Sequence, residues 1–407
     1  MSPDREPKLR RSVTLPVLVF YGLGNIFGAG IYVLIGKMAG IAGMYIPLSF
    51  LVACVVVFFT ALSYAELSSR YPLSAGEAVY VYEGFGIPWL STMIGVLIAL
   101  SGLLSSATIL HGFHGYLSTF IALPHLVTVL IVTVVLSVIA VWGIKESLYV
   151  ALVLTLAEMF GLGLVIYAGV GELSFADIRP ELFVPPFEFS VYHAITLGAF
   201  LAFYAFIGFE DMVNIAEEVK DPVRTMPRAI ILTLIIATIF YMAVSFVSVL
   251  IVPPGILVDS KAPLALVYET ATGTSASLLS LIAMVAVLNG ALIQIIMVSR
   301  IFYGMSQKGW MPALFGKVNP KTHTPVIATF VTGVMIFVFA IFFELVTLAQ
   351  FTSFFVFIIF TLVNVSLLLI KRKSPHPPGI HTYPSFIPAI AIILNLLLLT
   401  IQIASVI

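Results

Sequence analysis

"GNIFGAGIYV", residues 25–34, places Gly28, Ala29 and Gly30 in the middle of the first long apolar stretch of a 407-residue chain. Glycine inside a helix costs about 1 kcal/mol relative to alanine, so the tripeptide calls for a physical reason. Two reasons compete. Small residues let helices pack closely, as in small-xxx-small faces. Alternatively the helix breaks, and the N–H groups that begin its outer half present a positive dipole end able to hold a carboxylate.

Composition sets the surroundings of that stretch. Apolar residues make up 61% of the chain, charged residues 9%, and mean hydropathy is +1.15. Soluble domains carry about 25% charged residues, so the chain is an all-α integral membrane protein. Net charge is zero, which gives no footing for nucleic acid. The single cysteine, Cys54, excludes an internal disulfide and a thiolate metal site. The charged N-terminal segment "MSPDREPKLRRSVTLP" runs into a long apolar span without a small-residue cleavage site. It reads as a cytosolic tail and a retained helix, not a signal peptide.

A helix needs about 20 apolar residues to cross ~30 Å of hydrocarbon. Eleven stretches qualify: 16–40, 45–66, 88–116, 124–143, 148–171, 191–216, 228–252, 276–304, 325–344, 347–370 and 385–406. The third and eighth are long enough to be tilted. With the N-terminus inside, sixteen of the nineteen Lys and Arg residues fall on the cytoplasmic side, and Lys37, Arg179 and Lys261 fall outside. The positive-inside rule therefore expects a cytoplasmic N-terminus in the cell (plasma) membrane, and an odd number of spans puts the C-terminus outside. The chain reads as a single transmembrane domain, 1–407.

The sixth stretch, "TLGAFLAFYAFIGFEDMVNIAEEVKDP", carries a second interruption at Gly208, followed by Glu210 and Asp211 and then by Glu217 and Glu218. It enters the membrane from the side opposite to the first span. Two interrupted spans, five apart and opposite in direction, point to an inverted-repeat transporter with its site at the repeat interface. The repeats would be 16–171 and 191–370, with 385–406 an additional peripheral helix.

Four blocks then occur in order: "GNIFGAGIYV"; "YPLSAGEAVYVYEGFG" at 71–86; "FYAFIGFEDMVNIAEEVKDPVRTMPRAI"; and "SRIFYGMSQKGWMPALFGKVNPKTHTPV" from 299. On these the chain resembles the amino acid–polyamine–organocation superfamily of permeases, and its sixth-span block is similar to that of the cationic amino acid transporter branch. The resemblance implies a LeuT-like five-plus-five inverted-repeat fold, usually with twelve spans where about eleven are found here. It implies alternating access, with an amino acid as substrate. Gly28, Ala29 and Gly30 would then offer N–H groups to the substrate carboxylate. Tyr204, Ala205, Phe206 and Ile207 would offer carbonyls to its ammonium and an aromatic lid, and Asn25 and Ile26 would line the same cavity.

Acids inside a membrane are functional candidates, since a charge at the bilayer centre costs at least ~2.5 kcal/mol. Glu158, in "LTLAEMFGLGLV", has about ten residues of span on either side. It stands where proton-coupled relatives carry a lysine, and it reads as a proton-coupling group or as a structural brace. Glu210 reads as a gating or protonation residue or as a helix cap. Glu217 and Glu218 read as solvated charges beside Lys220 and Arg224. His111 and His114 have a spacing able to hold a metal, but interfacial polarity is the stronger reading, and neither a metal nor a cofactor is expected. Lys37 can snorkel, and "KRK" at 371–373 reads as a positive anchor against anionic lipid. "AMVAVLNGALIQIIMVSR" offers Asn289, Gln294 and Ser299 but no Ser/Thr pair for sodium. That favours proton symport, or amino acid/polyamine exchange without an ion. No HExxH, GxSxG or paired aspartates suggest an enzyme, and no repeated pore loop suggests a channel. The oligomeric state is not legible.

Overall fold

Hydrocarbon offers no partner to a backbone N–H or C=O, so an apolar span must bond to itself as helix or be sheltered by protein where it does not. The computed structural model describes residues 11, 13–73, 76–142, 147–172, 184–307, 309, 311–319, 322 and 324–406. Of the residues used above for orientation, Arg5, Lys8, Arg10, Lys145, Arg179, Lys308 and Lys321 lie outside these, as do the side chains of Ala29, Glu217 and Glu218.

All eleven expected stretches are helical. The first is α1 (Leu15–Ile26), α2 (Ala29–Tyr32) and α3 (Leu34–Ala42), and the second is α4 (Ile46–Arg70). A short helix, α5 (Gly76–Phe85), precedes α6 (Pro88–Leu117), α7 (His125–Trp142) and α8 (Ser147–Glu172). The sixth stretch is α9 (Phe189–Phe203) followed by 3₁₀ segments, and α10 (Pro222–Ile251) is the seventh. Two short helices, α11 (Pro254–Leu257) and α12 (Pro263–Thr272), lead to α13 (Ser277–Gln307), α14 (Val326–Phe342), α15 (Leu345–Lys373) and α16 (Phe386–Val406). Eight helical stretches among the described residues are long and apolar enough to cross a membrane, and three shorter apolar helices complete the set. Large apolar side chains on the outer faces, such as Val138 on α7 and Ile393 on α16, stand exposed, as lipid contact requires.

The packing pairs spans that are five apart. The second lies along the seventh (α4 on α10), the third along the eighth (α6 on α13) and the fourth along the ninth (α7 on α14). The first meets the sixth at their interruptions: a methyl built on Gly30 would overlap Ala205. This is the LeuT-like five-plus-five inverted-repeat architecture, with α16 packed on α15 and α4.

At the end of the bundle where Leu15 begins α1, a buried charge cluster joins three elements. Glu66 of α4 is fully buried; its Oε1 accepts from Arg70 at 2.7 Å and its Oε2 from Lys371 of α15 at 2.8 Å. Lys371 also donates to Tyr383 O, Tyr383 N donates to Glu66 Oε2, and Arg70 donates to Ser374 O. The reading of residues 371–373 as a lipid anchor fails for Lys371, which turns inward because a buried carboxylate stands opposite. Arg372 and Lys373 remain exposed. Lys37 likewise donates to Val258 O at 2.9 Å, tying α3 to the end of α11.

Removing one member of a buried charge cluster leaves its partners uncompensated, at about 3–5 kcal/mol. Glu66→Ala is therefore expected to lower the melting temperature of the purified protein sharply, while Arg372→Ala, at an exposed position, leaves it within error. Equal melting of the two variants would contradict this assignment.

Candidate functional site

The site is built where two helices stop. α1 ends because Phe27 leaves the helical region (ψ 97°), and its ring is packed edge-on against Phe240 and Tyr241. The chain turns at Phe27 and Gly28 and resumes as α2. In the sixth span, α9 gives way to a 3₁₀ turn, Tyr204–Phe206; Ile207 is extended and Gly208 sits at φ +126°. Only glycine adopts that conformation without strain, and a methyl there would also come within 2.9 Å of the Asn25 carbonyl. A 3₁₀ segment, Glu210–Glu218, continues the span.

The freed backbone groups are held by the side chains of Tyr241, Asn25 and Glu210. Tyr241 of α10 puts its hydroxyl 2.7 Å from Ile26 O and 2.6 Å from Ala205 O, one carbonyl from each break. Asn25 Nδ2 donates to Gly208 O at 3.1 Å and to Asp211 Oδ2 at 2.8 Å. Gln294 Nε2 of α13 donates to the same carboxylate oxygen at 3.1 Å. Asp211 thus fastens the first, sixth and eighth spans together. Glu210 Oε2 accepts from Gly208 N at 2.8 Å, a cap across the break.

Across the junction Asn25 meets Gly208 and Asp211, Ile26 O and Ala205 O share the Tyr241 hydroxyl, and Gly30 abuts Ala205, while Tyr204, Phe206 and Ile207 form the second break itself. The two glycines differ. Gly30 is pressed on Ala205: an added methyl would overlap its Cα and lie 2.5 Å from its Cβ. Gly28 is buried, yet a methyl there would meet no atom within 4 Å. Of these two glycines, only Gly28 has open space where a side chain would begin. The Phe206 ring is fully buried, edge-on to Tyr241 and Phe50, and the Tyr204 hydroxyl lies 3.0 Å from Ser105 Oγ of α6.

Glu158 is not part of this junction. It is fully buried on α8, with Asn289 Nδ2 of α13 donating to its Oε1 at 3.2 Å and no partner on its Oε2. Its backbone carbonyl accepts from the Tyr32 hydroxyl, and Tyr32 O accepts from Tyr116. The first and fifth spans approach so closely here that a methyl on Gly24 would overlap Thr155 Oγ1.

Sequence reasoning passed over Asp211 in favour of its neighbour, missed Tyr241, and weighed Asn289 and Gln294 only as sodium ligands. It also missed Glu77 of α5, which is buried beside the second break. One polar atom in an apolar run, as in "IFYMAV" at 239–244, is the available signal for Tyr241. His111 and His114 acquire a third ring, His125, stacked on the former at 4.5 Å and edge-on to the latter. No group of three His, Cys, Asp or Glu side chains among the described residues is placed to hold a metal ion.

The contrast between the glycines is testable without knowing the ligand. Gly30→Ala is expected to destabilise by the ~1–3 kcal/mol of an overpacked core, while Gly28→Ala stays within ~0.5 kcal/mol of the parent. Thermal unfolding of the two purified variants checks this, and a cost at Gly28 equal to that at Gly30 would contradict the internal room described here.

Residues 14–406 match the family model described as amino acid permease. The chain is 32% identical over 390 residues to Cationic amino acid transporter 3, mitochondrial, of Arabidopsis thaliana, covering 90% of this chain and 63% of that one. It is 28% identical over 422 residues to the Branched-chain amino acid permease BcaP of Bacillus subtilis, covering 97% and 88% respectively. It is also 28% identical over 415 residues to the Methylthioribose transporter of Bacillus subtilis, covering 96% and 87%. The chain thus spans somewhat less than two thirds of the Arabidopsis relative and most of the length of the two Bacillus relatives. With the family model matched along nearly its whole length, the chain belongs to the amino acid permease family.

Proposed function

We propose that the chain carries amino acids across the membrane by alternating access, coupled to protons, with the substrate held at the two breaks. The observation that carries this reading is the buried room beside Gly28, at the start of α2 and facing the second break. N–H groups at a helix start favour a carboxylate, and released carbonyls favour an ammonium. The two ends of an α-amino acid match that pair of surfaces. Ile26 O and Ala205 O, now shared by one tyrosine hydroxyl, are the acceptors that an ammonium would take over.

The packing of spans five apart supports division into repeats 16–171 and 191–370, with 385–406 peripheral. The distribution of Lys and Arg supports a cytoplasmic N-terminus in the cell membrane, where the side on which α1 begins faces the cytoplasm. Glu158 is the coupling group in this reading. Its Oε2 is buried without a partner, and an unpaired carboxylate there is far costlier than the neutral acid, so it takes up a proton on one side and gives it up on the other.

Reconstitution in liposomes tests the proposal, with acid outside so that protons run inward. One proton per substrate and a gradient of one pH unit supply about 1.4 kcal/mol, hence accumulation of up to about tenfold. Empty vesicles bearing the parent protein are expected to accumulate amino acid, and Glu158→Gln vesicles only to equilibrate. Uptake confined to vesicles preloaded with amino acid, and indifferent to both pH and Glu158→Gln, would instead establish an exchanger with Glu158 as a brace.

A further inference from the structure

Between the second break and α5 lies a cavity of about 10 Å³, room for one water-sized group. Glu77 of α5, Glu210 and Asp211 of the sixth span and Gln294 of α13 stand around it, and no basic side chain among the described residues lines it. The hydroxyls on its wall are already engaged: Ser101 donates to Ile98 O, and Ser105 is paired with the Tyr204 hydroxyl.

Two acceptors at this cavity have no donor. Glu77 Oε2 and Gln294 Oε1 are both unpartnered, on residues that are 1% and 6% exposed. The direction of Gln294 is fixed, because only its NH₂ can donate to Asp211 Oδ2. Its oxygen is left toward Gly102 on the cavity wall, where an added methyl would lie 2.8 Å from it. A buried acceptor is costly until a donor reaches it, and a buried carboxylate without a counter-charge is costlier.

No neighbouring charge relieves Glu77. On α5 itself Glu83 is exposed, and the buried Tyr80 hydroxyl has no partner. Tyr64 of α4, edge-on to Tyr80, also has an unpartnered hydroxyl, and neither phenol lines the cavity. The sixth span brings only the acids Glu210 and Asp211, and α6 brings no ionisable side chain to the wall. On α15, Lys371 is paired with Glu66, Arg372 is exposed, and Lys373 donates to the carbonyls of Glu83 and Gly84 at the far end of α5.

One proton resolves both unpaired acceptors. Placed on Glu77 Oε2, it removes the charge and turns that oxygen into an O–H donor. Gln294 Oε1 is the acceptor at the same cavity, to be reached directly or through one water. Asp211 Oδ2 and Glu210 Oε2 already accept N–H donors, so Glu77 is the acid among the three with a buried, unpartnered oxygen. We propose that Glu77 and Gln294 form a proton-binding site that ties α5 to α13 beside the second break, with the proton carried on Glu77 Oε2 and held by Gln294 Oε1. The site is separate from Glu158, whose amide partner is Asn289, and it goes beyond the transport reading.

Infrared spectra of the purified protein in lipid at neutral pH distinguish neutral carboxyl groups from carboxylates by their C=O stretch. The parent is compared with Glu77→Gln, Glu158→Gln and Gln294→Met. The parent is expected to show a neutral-carboxyl component that Glu77→Gln removes and Glu158→Gln leaves in place. Gln294→Met, close in size but without the carbonyl, is expected to shift that component to higher frequency, because its O–H loses its acceptor. A neutral-carboxyl band that Glu77→Gln leaves intact would overturn the site. So would a band unmoved by Gln294→Met, which carries the test by itself where Glu77→Gln does not fold. Uptake plays no part in this readout, so failure of the site and failure of the transport reading are separate results.

Discussion

The Tyr241 hydroxyl stands between Ile26 O and Ala205 O, at 2.7 and 2.6 Å, and the junction depends on that contact. Each break frees carbonyls in a region where water is not available to bond them. A phenol has one proton, so two acceptors share a single donor. The arrangement holds the first, sixth and seventh spans together but leaves the carbonyls under-satisfied. A group with three donors serves them better. In the proposed transport cycle, the closed empty site and the loaded site therefore compete for the same two oxygens, which lets binding and closure be linked without a separate lever.

Two groups of buried acids are treated differently by the fold. Glu66 is met by Arg70 and Lys371 and by the Tyr383 N–H, so its charge is compensated on every side. Asp211 and Glu210 have amide and backbone N–H groups as partners, Glu77 Oε2 has none, and no basic side chain among the described residues lines the cavity they share. Burying a charge without a counter-charge is costly, and intramembrane acids that are left so are the ones expected to meet a mobile charge. The compensated cluster lies between α4, α15 and the segment before α16, where it fastens elements together. The uncompensated one borders the second break.

The eleven spans and both interruptions are legible in the sequence, because apolar length and mid-span glycine report directly on what a bilayer permits. Partners are less legible. Glu158 is visible as a lone acid in "LTLAEMFGLGLV", but Asn289 lies 131 positions away on a helix that is apolar on most sides. In a soluble helix the polar face reveals which way a residue looks; in α13 or α10 both the lipid and the protein faces are apolar, so Gln294 and Tyr241 carry no directional signal. Lys371 fails for the same reason. A lysine at the end of a span has the same sequence context whether it meets lipid headgroups or a buried Glu66. Asp211 was eclipsed by Glu210 because adjacent acids cannot be ranked until the break fixes their directions: Glu210 folds back on Gly208, and Asp211 reaches Asn25 and Gln294.

The tripeptide at 28–30 illustrates how close the two readings of a small residue lie. Gly30 is small because Ala205 occupies the space that its side chain would need, which is the packing explanation. Gly28, two residues earlier, is small with nothing beside it, and close packing does not account for that. Room kept open inside a protein forfeits dispersion contacts on every atom that lines it. In the proposed transport cycle the substrate would offset that loss by entering the gap. The two glycines together hold the broken first span against the sixth at one point and away from it at the next.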